Sequence, residues 1–133
     1  MTTPADELRT AADKLRKLLD APELTPGPWL SLDHGDRMLY DGPGAEDEPP
    51  VYVIDEPMSN GANADYIEAM HPGVGAALAA WLDEAARYYD AGVQAADDVF
   101  RDDPAGRNAF LTTGPGAPSP QALAVARLIN ATA

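Results

Sequence analysis

Cysteine is absent from the chain of 133 residues, which removes disulfides, thiol nucleophiles and cysteine-ligated zinc together. Lysine is nearly absent, with only Lys14 and Lys17, and histidine is limited to His34 and His71. Bases of all kinds number 9 against 22 acids, giving a net charge of −13. A polyanion repels phosphate backbones, so direct nucleic-acid binding through counterion release is excluded as an expectation. Long apolar runs are missing too: Asp, Glu, Pro or Gly breaks each one well short of the ~20 residues that span a bilayer, so no membrane segment is expected. Met1-Thr2-Thr3-Pro4-Ala5-Asp6-Glu7 lacks the basic and apolar regions of a signal peptide, and the expected location is the cytoplasm. What the chain does have is 45% hydrophobic residues, enough for one domain of residues 1–133 with a modest core and no need of metal or disulfide.

The charge is unevenly spread. Residues 1–20 hold four acids (Asp6, Glu7, Asp13, Asp20) and four bases (Arg9, Lys14, Arg16, Lys17), leaving eighteen acids against five bases for the rest. Thr3-Pro4 opens a helix over 4–20, with a hydroxyl at the cap and proline at the first helical position. Leu8, Ala11, Ala12, Leu15, Leu18 and Leu19 make its apolar stripe. Pro22, Pro26, Gly27 and Pro28 end it. Short strands are predicted at Trp29–Leu32, Met38–Tyr40 and Val51–Ile54, the first two joined by a turn at Asp33-His34-Gly35-Asp36. The acidic stretch Gly42–Pro50 between the last two reads as a solvated loop.

A second helical region spans 63–131. Asn63 is expected to cap a short helix Ala64–Met70, interrupted by His71-Pro72. Val74, Ala77, Leu78, Trp81, Leu82, Ala85, Tyr88 and Tyr89 then carry a long helix from Pro72 toward Phe100. Asp102-Asp103-Pro104 stops it, Gly114–Pro118 is a loop, and Ser119-Pro120 starts a last helix that is apolar nearly all round. The expected fold class is α+β: a small three-stranded antiparallel sheet packed against three or four helices, helix-dominated, with 72–100 and 119–131 as the core pair. Trp29 and Trp81 fall on apolar periodic faces and are expected in the core, so Trp81→Ala is expected to cost about 3–5 kcal/mol.

Residue types and their spacing leave little from which to build a catalytic constellation. Nucleophilic catalysis needs a base beside the nucleophile, and only His34 and His71 offer imidazole. His34 sits among turn formers. His71 follows Glu68 at helical spacing, but a di-iron carboxylate site needs two such pairs and two further glutamates; His71 reads as a helix-junction residue. Asp97, Asp98, Asp102 and Asp103 place four carboxylates within seven residues. They lack the alternating acids, central glycine and terminal glutamate of a calcium loop, and neither Glu-x-x-Glu nor Glu-x-x-Asp of the helical nucleotide pyrophosphohydrolases occurs. They read as a solvated helix end and as an acidic interaction surface. Gly73 and Gly75 open a helix without the lysine or spacing of a phosphate cradle.

Three stretches, Thr25–Trp29, Asn63–Leu78 and Ala122–Asn130, resemble a family of short proteins of Streptomyces and actinobacterial phages. The first two are also similar to the Ead-type accessory proteins of lambdoid phages. The resemblance implies a phage or mobile-element setting and carries over no catalytic residue. Some actinobacterial relatives carry a cysteine-rich insert before the last helix; Asp102–Pro118 stands there without cysteine, so no metal is implied.

Together these readings predict no enzyme activity, cofactor or metal, and a non-enzymatic accessory or regulatory protein that binds a protein with a basic surface. Two alternatives stay open: a DNA-mimic inhibitor of a nucleic-acid-binding defence enzyme, and a small-ligand binder or enzyme whose site assembles from residues distant in sequence.

Overall fold

The structure, a computed structural model, describes residues 2–25, 27–33, 37–40, 52–58 and 61–132. In the strands it describes the backbone, and of their side chains only Val53, which is half-buried. The expected turn at Asp33–Asp36 lies largely outside the described residues, and the loop at Gly42–Pro50 lies wholly outside them.

The elements run α1 (Pro4–Leu19), β1 (Leu30–Asp33), β2 (Arg37–Tyr40), β3 (Tyr52–Met58), α2 (Gly61–Ala69), α3 (Pro72–Val99), α4 (Pro104–Thr112) and α5 (Pro120–Asn130). They form two compact units. One comprises Met1–Lys17 and Leu78–Ala133, the other Leu18–Ala77.

The described elements of the first unit are all helices. Thr3 and Asp6 cap α1 reciprocally: the Thr3 N–H donates to the Asp6 carboxylate and the Asp6 N–H to the Thr3 hydroxyl, each at 3.1 Å. That hydrogen bonding, the Thr3 backbone N–H foremost, holds the Asp6 carboxyl below its ordinary range. The core joins Ala5, Leu8, Ala11 and Ala12 of α1 to Ala79, Leu82 and Ala86 of α3 and Ala122, Leu123 and Ala126 of α5. Seven of these ten are alanines, so the helices meet through small side chains and approach closely. Arg9 pairs with Asp90 at 2.6 Å and Arg16 with Asp83. Seven residues separate the two arginines and, in the opposite sense, the two aspartates, which makes α1 and α3 antiparallel. Each guanidinium is held further toward its charged form, chiefly by the hydrogen bond it donates to its aspartate. Because Arg9 and Asp90 are each nearly half exposed, solvent screens their pair, and its effect is on register more than on stability.

On α5, Arg127 makes two bonds of 3.2 Å to the Glu7 carboxylate, and the Asn130 amide donates to the Glu7 carbonyl at 3.1 Å. Further along α1, and just past the end of α5, Lys14 donates to the Thr132 carbonyl. Their contacts therefore advance together, and α5 runs in the same sense as α1.

In the second unit the three strands form an antiparallel sheet of order β1-β2-β3. Leu30 to Asp33 faces Tyr40 to Arg37 in unbroken register, whereas the β2–β3 ladder shifts on either side of Leu39, as a bulge would make it. Helix α2 lies against all three strands. The Trp29 indole N–H donates to the Thr25 carbonyl at 3.1 Å. His71 caps α3: its carbonyl accepts from Val74 at 2.9 Å and its Nδ1 from the Gly73 N–H at 3.1 Å. A Cβ on Gly27 would come within 2.9 Å of that Nδ1, so glycine is what lets the linker pass the ring.

The expected α+β class is corrected by this arrangement. Among the described residues five helices dominate, and the core, among residues whose side chains are described, is built by α1, α3 and α5 with no strand in it. A sheet packed against three or four helices is not found; the described strands meet α2. The physical reason is the alanine content: helices satisfy their own backbone and, with alanine at their crossings, close a core unaided. Two further expectations change. Helix α1 joins the predicted core pair of 72–100 and 119–131. Helix α2 begins at Gly61, placing Asn63 inside it rather than at its cap. Helix α4 occupies the residues between the expected stop at Asp102-Asp103-Pro104 and the expected loop at Gly114–Pro118, to which no element is assigned in the sequence.

Candidate functional site

Trp81, expected in the core, is 38% exposed, and Tyr88 on the same helix is 72% exposed. Leu82, the next residue, is fully buried. The stripe Ala79, Leu82, Ala86 faces α1 and α5, and Trp81 and Tyr88 lie along its margin. Seven residues apart, they stand about two turns, or ~10 Å, along one side of α3.

Beside them the chain folds back to make a groove of about 550 Å³. Its floor is Trp81, Glu84, Ala85 and Tyr88, and its wall is Pro115, Ala117 and Ser119. The wall is held by backbone bonds. The Gly114 N–H donates to Ala109 at 2.8 Å, Gly116 to Phe110 at 3.1 Å, and Ala117 to Gly114 at 3.1 Å. A Cβ on Gly116 would clash with the edge of the Phe110 ring, and that ring packs on Phe100 with centroids 5.7 Å apart. Ser119 caps α5 by accepting from Ala122 at 3.2 Å. The groove is thus bounded by a helix face and a loop fixed at both ends.

Glu84 is the one ionisable carboxylate lining it, and no cation lines it. Among the described residues Glu84 forms no ion pair, whereas neighbouring Asp83 and Asp90 are paired to α1. Arg87 sits on the far flank, lining a shallower recess of about 310 Å³ with Glu84, Tyr88 and Ala91.

The four aspartates singled out in the sequence lie elsewhere in this unit. Asp97 pairs with Arg107 at 2.7 Å and Asp98 with Arg101 at 3.8 Å. Asp103 caps α4, accepting from the Gly106 N–H at 3.0 Å. Asp102 is exposed. The structure does not gather the four into one cluster, and among the described residues no group of three His, Asp or Glu is placed to hold a metal. Asp103→Ala should therefore lose a cap and cost about 1 kcal/mol, while Asp103→Asn, which can still accept, should cost much less; urea denaturation of both variants checks this.

The unit boundaries also relocate the charge. Met1–Lys17 with Leu78–Ala133 carries ten acids and eight bases, nearly balanced, and Leu18–Ala77 carries twelve acids and the single base Arg37. Almost all the excess negative charge belongs to the second unit. Among the described residues no helix is long and apolar enough to cross a membrane. No protein-family model, curated protein or solved structure matches the chain.

Proposed function

We propose that the protein is a non-enzymatic accessory module that binds another protein through that partner's basic surface, in the phage or mobile-element setting its sequence resembles. The observation that carries this reading is the division of charge. In the first unit, five of eight bases pair with acids, so its charges are largely spent on its own architecture. The second unit sets twelve acids against one base, a field that attracts a cationic surface over a Debye length of about 8 Å at physiological ionic strength.

The test begins with a partner recovered from the native host and follows its association rate across salt. Association should slow as salt rises. Exchanging Asp20, Glu23 and Glu68 for their amides should slow it more than the same exchange at Asp97, Asp98 and Asp102. A rate independent of salt would overturn the electrostatic basis. Competition between duplex DNA and this protein for one site on the partner would identify the binding as mimicry of DNA.

A further inference from the structure

From the groove on α3 we infer a binding site for an arginine-bearing segment of the partner, the guanidinium lying against Trp81 and Tyr88 with its charge on Glu84. The inference rests on the reading of this protein as a binder of a basic protein and locates where one side chain of that partner is read.

Three features of the groove select the occupant. Two aromatic rings are exposed on one side of a rigid helix, and the negative face of an aromatic ring attracts a cation. The groove holds a single ionised group, a carboxylate that no cation of the described residues neutralises, so its charge complement is one positive charge. Its wall is fixed by hydrogen bonds at Gly114, Gly116 and Ala117, so a ligand orders little of the protein on entering. An apolar segment would leave the Glu84 carboxylate facing it, and an acidic one would be repelled. Between the two natural cations, the flat guanidinium stacks on aromatic faces and forks onto a carboxylate, whereas the ammonium of lysine is a compact, strongly hydrated charge. Arg87 stands beyond Glu84 and Tyr88 and opposes a second cation from that flank, which directs the incoming arginine to the Trp81 side.

Trp81 is its own reporter once Trp29 is changed to phenylalanine. The probe is a short blocked peptide of alternating arginine and glycine, with lysine–glycine and citrulline–glycine analogues as comparisons. Trp81 emission should change saturably with the arginine peptide, several-fold more weakly with lysine, and not at all with citrulline. Tyr88→Ala and Glu84→Gln should each weaken arginine-peptide binding by about fivefold or more, with melting temperatures close to the parent's. Arg87→Gln should tighten it. No saturable change, or binding that treats arginine and lysine alike and ignores Tyr88→Ala and Glu84→Gln, would overturn the site. The second of these results would leave the salt-dependent association of the whole protein intact, so the two proposals fail separately.

Discussion

Leu82→Ala should lower stability by about 2–5 kcal/mol, the cost of deleting a buried leucine and leaving its cavity. Leu82 is fully buried and stands between α1 and α5, in contact with a cluster otherwise made mostly of alanine. Only Leu8 is buried as completely among the large side chains described. Small neighbours have no long side chains to swing into the space, so the cavity should persist and the cost should fall toward the upper part of that range. A domain of this size has roughly 5–15 kcal/mol in total, which makes the variant marginal. Urea denaturation is the measurement: the midpoint should fall with the slope unchanged. Trp81→Ala, at the neighbouring position, should cost clearly less, because that ring is partly in water. Equal losses at the two positions would mean that Trp81 anchors the helix as firmly as Leu82 does.

How much of this was readable beforehand differs by element, and each difference has a cause. The start of α1 was legible because Thr3-Pro4 and the Leu8–Ala12–Leu15 spacing act locally. The N-cap of α4 is written in the sequence as Asp103-Pro104, but the same pair that begins this helix also ends the one before it, so locally it reads as a stop. Nine residues with only Phe110 and Leu111 as large apolar groups then gave no period to reveal it. For α5, counting alanine as hydrophobic made every side look buried. In the structure Ala122, Leu123 and Ala126 are buried while Ala124 is exposed and Leu128 is 73% exposed.

Trp81 was misplaced for a related reason. Periodicity identifies the apolar side of a helix but does not separate the centre of the stripe from its edge. The groove was not legible at all, because its wall at Pro115–Ser119 comes from some thirty residues further along the chain. The charge asymmetry was visible, but its meaning was not. Residues 1–17 bring four bases and three acids into one unit with Leu78–Ala133, where Arg9 and Arg16 pair with Asp90 and Asp83, and only a tertiary boundary shows that the first unit is nearly balanced. Within the Asp97–Asp103 run, Asp97 and Asp98 have Arg107 and Arg101 as partners, and the first of these pairings joins two helices in a way that spacing alone does not specify.

Ala86→Leu should be nearly as damaging from the opposite direction. Ala86 is fully buried and lies where α3 meets α1 and α5. Three extra carbon atoms there must either push the helices apart or take a poor rotamer, at about 1–3 kcal/mol and occasionally more. Relief by sliding is restricted. Arg9–Asp90 and Arg16–Asp83 hold α1 along α3 at two points, and Arg127–Glu7 with Asn130 holds α5 to α1. Any separation that accommodates leucine also lengthens these contacts. The matched control is Ala80→Leu on the same helix, where the alanine is exposed and the substitution should fall within about 0.5 kcal/mol of neutral. Both variants keep good helix formers, so the difference between them in urea denaturation isolates close packing from helix propensity. A leucine tolerated equally at both positions would mean that the alanine contacts leave room between the helices, and the account of a core closed by small residues would fall.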